Sequence, residues 1–201
     1  MLMKKNYKSL KGFLLLLPLF FCFQSLSQNC KYEKNEIDKF TKKKVIITKS
    51  EKVFSTFNTS GFYTVKQEDN DFYIQFDYLV STPFSGASTM PANIAIKEND
   101  QLMFLLDNDE VVTLKCSKTV QSQAQPNLAF HVVNWNLSNV NYPVTREQLK
   151  ALQSSKTNTL RIYRTVGFDA QKIGQQEFFD VEIKRSNKED LQRLIKCVIQ
   201  D

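Results

Sequence analysis

Short segments rich in β-branched and aromatic residues follow one another along most of this chain, and clusters of polar residues separate them. The clearest example is the segment 72–79, in which Phe72, Ile74, Phe76 and Tyr78 alternate with mostly polar neighbours. Alternation with a period of two places one apolar row on a single face of a β-strand. Such segments predict antiparallel sheets that bury one of their two faces.

The predicted strands begin at Val45, and short polar turns join them. Apolar runs predict a first strand across 45–54, a hairpin of 62–65 with 72–79, a meander of 94–96, 102–106 and 111–114, and later strands at 128–133, 160–163 and 178–183. The segment 81–91 contains Pro83, Gly86 and Pro91, and is therefore predicted to be a loop.

Helix signals come late in the chain. Thr145-Arg146-Glu147-Gln148 has the spacing of a capping box and predicts a helix of about ten residues. After a cap at Ser186 or Asn187, one apolar face of a last helix is predicted to carry Leu191, Leu194, Ile195 and Val198. Strands first and helices last predict an α+β fold, a mainly antiparallel sheet of hairpins and a meander, with one short helix and a C-terminal helix packed on it. The alternative is a β-sandwich with peripheral helices.

The first 28 residues have the layout of a secretory signal peptide. Four lysines precede the apolar run 13–23, and small residues follow it. The run is too short for a helical membrane span, which takes about 20 apolar residues. We therefore expect no stable membrane span, cleavage near Ser27 or Gln28, and a secreted or periplasmic protein. The predicted organisation is a signal peptide at 1–28, a basic N-terminal arm at 29–43 and a single α+β domain at 44–201.

The net charge of +6 overstates the basic character of the predicted mature protein. Four of the 27 basic residues and none of the 21 acidic ones lie in the predicted signal peptide, so 23 basic and 21 acidic residues remain. This near-neutral balance argues against nucleic acid as a partner. The remaining excess is local, because lysines are concentrated between Lys31 and Lys52. We interpret this arm as a solvated lead-in to the first strand; the alternative is contact with an anionic glycan or lipid surface.

The predicted mature chain keeps three cysteines, Cys30, Cys116 and Cys197. An odd number in an oxidising compartment predicts one disulfide and one free thiol. Cys116 follows a predicted strand and Cys197 lies on a predicted helix, so we expect these two to pair. Cys30, near a predicted frayed end, paired with either of the others is an alternative, and so are three buried thiols.

The sequence contains no familiar catalytic motif. His131 is the only histidine and lies in an apolar run, which favours a strand residue over a catalytic base. The acidic clusters Asp69 with Asp71, and Asp107 with Asp109 and Glu110, lie in predicted turns, where such residues bond their own backbone. We therefore assign no catalytic or metal-binding residue and expect no cofactor.

Aromatic residues offer the strongest candidates for a binding surface. Exposed rings on a sheet face form platforms for sugars or for partner proteins. Trp135, Tyr73 and Tyr78 are the candidate ligand-binding residues.

Both ends of the predicted mature chain carry a family resemblance. The segment Asn35-Glu36-Ile37-Asp38-Lys39-Phe40-Thr41 resembles the opening of uncharacterised exported proteins of Bacteroidota-type bacteria. The late strand at 160–163 and the helix ending in Leu191-x-x-Leu194-x-x-Cys197 are also similar to theirs. The resemblance implies a location in a Gram-negative cell envelope and supplies no catalytic residues.

Together these features predict an exported, non-catalytic binding or structural module of the cell envelope. We expect a monomer whose partner is an envelope protein or a glycan. The alternatives are a small exported hydrolase that uses acidic residues, and a carrier of lipid or another apolar ligand.

Overall fold

The computed structural model describes residues 30–83, 93–127, 129, 132–167 and 175–199. The predicted signal peptide, His131 and most of the predicted loop at 81–91 lie outside these residues. Within them the chain forms thirteen β-strands and two α-helices. The strands are β1 (Tyr32–Ile37), β2 (Lys44–Thr48), β3 (Glu51–Ser55), β4 (Thr59–Glu68), β5 (Asp71–Pro83), β6 (Asn93–Ile96), β7 (Gln101–Leu106), β8 (Val111–Lys115), β9 (Val120–Gln121), β10 (Gln123–Asn127), β11 (Val132–Val144), β12 (Thr157–Gly167) and β13 (Gln175–Glu182). The helices are α1 (Arg146–Ser154) and α2 (Asp190–Ile199).

The first sheet has the strand order β1-β2-β4-β5-β11-β10. Strand β3 pairs with the same edge of β4 as β2 does, at residues 60–63, whereas β2 pairs at residues 66–68. All strand pairs of this sheet are antiparallel. The predicted hairpin is confirmed as β4 and β5, which Asp69 and Asn70 join. Asp69 has a φ of 56°, a left-handed conformation that aspartate tolerates better than most residues.

The second sheet has the order β8-β7-β12-β6-β9. Strands β7 and β6 pair with different parts of one edge of β12, and β13 pairs with the opposite edge. The predicted meander is confirmed for β7 and β8 but is wrong for β6. β6 and β7 do not pair with each other, because both run in the same direction along one edge of β12. The buried Asp100 side chain accepts a hydrogen bond from the Lys97 amide at 2.8 Å, so residues 97–100 form a kink that does not reverse the chain.

The two sheets pack together around one hydrophobic core. The even-numbered row of β5 faces this core, as the alternation predicted, and every member from Phe72 to Val80 is buried. Ring contacts cross between the sheets, with centroids 6.2 Å apart for Tyr63 and Phe104 and 5.4 Å apart for Tyr78 and Phe179. Burial of a side chain as large as Phe contributes about 1.5–3 kcal/mol, so this shared core is the main source of stability.

The N-terminal segment is more ordered than its sequence predicts. The region predicted as a basic arm contains β1, which pairs with β2 at the edge of the first sheet. The predicted first strand is two strands, β2 and β3, and the Thr48 hydroxyl near their junction accepts a hydrogen bond from the Val65 amide at 3.0 Å.

Both predicted helices are present. The α1 capping box is confirmed, because the Thr145 hydroxyl accepts from the Gln148 amide and the Gln148 side chain accepts from the Thr145 amide. Helix α2 begins at Asp190, later than predicted, because the Asn187 side chain donates to the carbonyls of Lys52 and Val53 in β3. The apolar side of α2 packs against β2, β4 and α1. Neither helix is long and apolar enough, among the described residues, to cross a membrane.

The disulfide differs from the preferred sequence prediction. Cys30 pairs with Cys197, and Cys116 is a free, buried thiol. The prediction of a Cys116–Cys197 pair is wrong because β1 continues the sheet outward and brings Cys30 beside α2. The Tyr32 hydroxyl also donates to the Cys197 carbonyl, at 3.0 Å. Cys116 instead donates its thiol hydrogen to the Lys118 carbonyl at 2.9 Å, and burial raises the pKa of this thiol.

Candidate functional site

Two of the three predicted ligand-binding aromatics belong to the core. Trp135 is 8% exposed and Tyr78 is 1% exposed. The Trp135 indole donates to the Thr82 hydroxyl at 3.1 Å, and the Tyr78 hydroxyl accepts from the Arg164 guanidinium. Both polar groups are therefore satisfied inside the fold, and neither ring offers a surface platform.

Tyr73, the third candidate, lies on the outer face of the first sheet. It is half-buried, and the Lys66 ammonium lies 5.9 Å from its ring centroid. An open groove beside it is lined in part by Pro143 and Arg146. The predicted aromatic residues therefore do not come together as one binding surface.

A different aromatic cluster is exposed on the outer face of the second sheet. The register of β13, β12, β7 and β8 places these side chains next to one another across four strands. Thr159 lies opposite Leu105, which lies opposite Val111; Arg161 lies between Asp180 and Met103; and Tyr163 lies opposite Phe178. We call this surface the Phe178 face and define it by Met103, Leu105, Val111, Thr159, Arg161, Tyr163, Phe178 and Asp180.

Phe178 is the most exposed ring of this surface, at 53%. The Arg161 guanidinium carbon lies 4.5 Å from its ring centroid, and the Tyr163 ring lies 5.5 Å away in a tilted arrangement. Arg161 also makes a bidentate ion pair with Asp180, with N···O distances of 2.6 and 2.7 Å. These contacts hold the arginine and both rings in one orientation on a paired sheet.

A groove of about 180 Å³ lies beside this cluster. Its walls are mostly apolar, and Arg161 and Asp180 border it. Leu105 and Val111, which also line it, are both exposed. The groove is open to solvent, so it is suited to a protruding side chain of a partner rather than to an enclosed small molecule.

The charged pair of the Phe178 face is poised for recognition rather than for proton transfer. Hydrogen bonds from Arg161 lower the pKa of Asp180, and the hydrogen bond to Asp180 raises the pKa of Arg161. Both groups therefore stay ionised around neutral pH. A general acid or base needs the opposite tuning, toward the working pH.

The predicted acidic clusters stay in turns, as their sequence indicates. Asp69 lies in the β4–β5 turn and Asp71 is the first residue of β5, whereas Asp107 to Glu110 join β7 and β8. Asp107 accepts a hydrogen bond from the Lys156 amide at 3.2 Å, which ties this turn to the start of β12. No group of three or more potential metal ligands is present in the part of the chain that the structure describes.

One signal in the sequence points to the Phe178 face. Phe178 and Phe179 are adjacent in a strand, so their side chains must lie on opposite faces. Phe179 faces the core and stacks on Tyr78, which leaves Phe178 on the outside. The contribution of Leu105 and Val111 could not be found in this way, because it depends on how distant strands pair.

Comparison of this chain with protein-family models, with curated proteins and with solved structures found no match. The resemblance to exported proteins of Bacteroidota-type bacteria therefore stays a prediction.

Proposed function

We propose that this chain is an exported, non-catalytic binding module and that it binds a protein of the cell envelope through the Phe178 face. The observation that carries the proposal is the exposed Phe178 ring, held by the partly exposed Arg161 and Tyr163 beside an apolar groove. Arginine, aromatic residues and methionine are enriched in protein interfaces, and such residues supply most of the binding energy. A rigid sheet presents them with little loss of conformational entropy on binding.

The chemistry of this surface favours a protein over a glycan. Arg161 covers one side of the Phe178 ring, so the ring is only partly free to stack on a sugar. Met103, Leu105 and Val111 provide no hydrogen bonds to sugar hydroxyls. Asp180 neutralises Arg161, so the face also lacks the net positive charge that an acidic glycan would need.

The two alternatives receive less support from the described residues. The acidic candidates for a hydrolase lie in turns, and no pair of them converges on one of the three grooves described by the structure. These three grooves are open to solvent, whereas a lipid carrier needs an enclosed apolar space.

Export is the second part of the proposal. Its support is the disulfide between Cys30 and Cys197, since disulfides persist in oxidising compartments such as the periplasm. The signal-peptide layout of residues 1–28 points the same way. A periplasmic or secreted location would give the Phe178 face access to envelope proteins.

Site-specific photocrosslinking in the producing cell tests the binding face. A photoreactive phenylalanine analogue is placed at Val111, on the Phe178 face, or at the exposed Gln123 of β10, in the other sheet. We expect a discrete crosslinked protein from position 111 and none from position 123. Equal products from both positions would show that the second sheet has no special role.

A second variant separates binding from folding. Phe178→Ser in the Val111-labelled protein should reduce the crosslinked product about tenfold or more, since interface anchors contribute upward of about 2 kcal/mol. The melting temperature should change little, because the ring is half-exposed. Undiminished crosslinking in a folded Phe178→Ser protein would contradict the proposal.

A further inference from the structure

The turn between β1 and β2 presents an exposed aromatic ring on a well-ordered backbone. We call residues 38–43 the Phe40 turn. The Asp38 carboxylate accepts hydrogen bonds from the amides of Phe40 and Thr41, at 3.0 and 2.7 Å, and from the Thr41 hydroxyl at 3.0 Å. Two backbone hydrogen bonds, from Lys42 to Asp38 and from Asp38 to Lys43, close the turn. Its shape is therefore set without any help from the Phe40 ring.

The Phe40 ring does not pack in the hydrophobic core. It is 95% exposed, and the neighbouring Ile37 is also exposed. Leaving both apolar side chains in water gives up about 1.5–3 kcal/mol of burial for each. A ring held in this way is available to another apolar phase.

Positive charge surrounds the exposed ring. Lys39, Lys42 and Lys43 are all exposed, whereas the only acidic group of the turn, Asp38, directs its carboxylate at backbone amides. Just outside the turn, Glu36 is paired with Lys34 at 3.3 Å. The surface around Phe40 is therefore both apolar and cationic.

The chain contains a natural comparison for this turn. Phe57, between β3 and β4, is equally exposed. Its neighbours from Ser55 to Ser60 include no charged residue. Exposure of a ring alone therefore does not distinguish the Phe40 turn; the combination with three lysines does.

We propose that the Phe40 turn docks on an anionic lipid bilayer, with the ring in the boundary between headgroups and acyl chains and the lysines beside the phosphates. Interfacial anchors combine these two terms, apolar burial and attraction of Lys or Arg to anionic lipid. A soluble polyanion would use the lysines and gain nothing from the ring. This inference goes beyond the proposed function and uses different residues. One short turn gives weak and reversible attachment, consistent with a domain that carries its main binding face elsewhere.

Vesicle co-sedimentation of the exported protein tests the proposal. Intact-mass measurement of the same sample establishes whether residues 1–28 have been removed. The probes are vesicles of pure phosphatidylcholine and vesicles of equimolar phosphatidylcholine and phosphatidylglycerol. We expect binding to the anionic vesicles, and we expect Phe40→Ser to weaken it about tenfold, the effect of losing most of a Phe side chain's burial. The matched control Phe57→Ser should bind as wild type does.

Charge and partner are tested separately. Replacing Lys39, Lys42 and Lys43 together by Gln should abolish the preference for anionic vesicles, and about 1 M salt should weaken wild-type binding because it shortens the Debye length to about 3 Å.

Phe178→Ser should leave vesicle binding unchanged, because Phe178 lies outside the Phe40 turn. Vesicle binding therefore tests the Phe40 turn independently of the Phe178 face. Equal vesicle binding by the Phe40→Ser and Phe57→Ser proteins would overturn the proposal. Tight binding to heparin that is equal for wild type and Phe40→Ser would also overturn it, because it would indicate a glycan site.

Discussion

Gly61 shows how a single hydrogen atom in place of a side chain determines packing between the strands. It lies opposite Phe54 in the pairing of β4 with β3. A Cβ atom at this position would lie 2.8 Å from Cζ of the buried Phe54 ring and closer still to Cε1. Phe54 in turn contacts Phe179 of the second sheet edge-on, at 6.4 Å between centroids. The glycine therefore makes room for a ring that joins the two sheets.

We predict that Gly61→Ala destabilises the protein by about 1–3 kcal/mol, the usual cost of overpacking a core. The sign of this change in unfolding free energy is informative. Without the contact with Phe54, replacing a glycine in a strand by alanine would stabilise the protein by about 0.5–1 kcal/mol. The measurement is urea unfolding. The neighbouring control Ser60→Ala removes only an exposed hydrogen bond to Ser55 and should stay within about 0.5 kcal/mol of wild type. A stabilised Gly61→Ala protein would show that the Phe54 ring does not rest on this residue.

At the scale of elements, local signals were good predictors and edge pairings were not. The β4–β5 hairpin, the α1 capping box and the apolar face of α2 all follow from residues within one turn or one strand length. The separation of β6 from β7 does not, because β12, some sixty residues later, provides the edge along which both strands pair. A turn-like sequence such as Glu98-Asn99-Asp100 fits a hairpin or a kink equally well.

The Phe40 turn should make stability depend on pH. Hydrogen bonds from Thr41 and Phe40 lower the pKa of Asp38 below its ordinary value. A carboxyl group with a depressed pKa in the folded state contributes stability above its unfolded pKa of about 3.9, and this contribution is lost as the pH falls through the folded-state pKa. Asp38→Asn should therefore melt at a lower temperature than wild type at neutral pH, and the two curves should converge at acidic pH.

Thermal unfolding of both proteins from neutral pH to about pH 2 measures this convergence, since about pH 2 lies well below the unfolded pKa of aspartate. Because Asp38 is only partly buried, salt screens the charge of its carboxylate, and the effect should shrink in high salt. A difference in melting temperature that stays constant to the acid limit would mean that the carboxylate charge does not stabilise the turn.

For the whole molecule, the disulfide joins the residue two positions before β1 to helix α2. Cys30 and Cys197 are 167 residues apart, so the bond closes nearly the entire folded domain into one loop. In the chain-entropy account, a long loop gives a large stabilisation because it restricts the unfolded chain most. The bond also fastens the start of β1 to α2, where the Tyr32 hydroxyl donates to the Cys197 carbonyl.

We predict that the double variant Cys30→Ser, Cys197→Ser loses about 2–5 kcal/mol of unfolding free energy. Dithiothreitol should lower the stability of wild type toward that of the double variant and leave the double variant unchanged. Peptide mapping without reduction should recover a Cys30–Cys197 crosslink and an unpaired Cys116. Recovery of a crosslink that contains Cys116 would contradict this assignment.

The central β4–β5 hairpin, the capped helix α1 and the amphipathic helix α2 follow from the sequence alone, because alternation, turn residues and capping act between neighbours along the chain. The sequence also located the excess of lysine near the start of the predicted mature protein, where the structure adds the exposed Phe40 ring on an ordered turn. The three-dimensional packing was needed to show that Trp135 and Tyr78 are buried, that Phe178 lies beside Leu105 and Val111, and that Cys30 rather than Cys116 pairs with Cys197. Each of these depends on the pairing of strands far apart in the chain, and burial of apolar surface by the whole molecule selects that pairing.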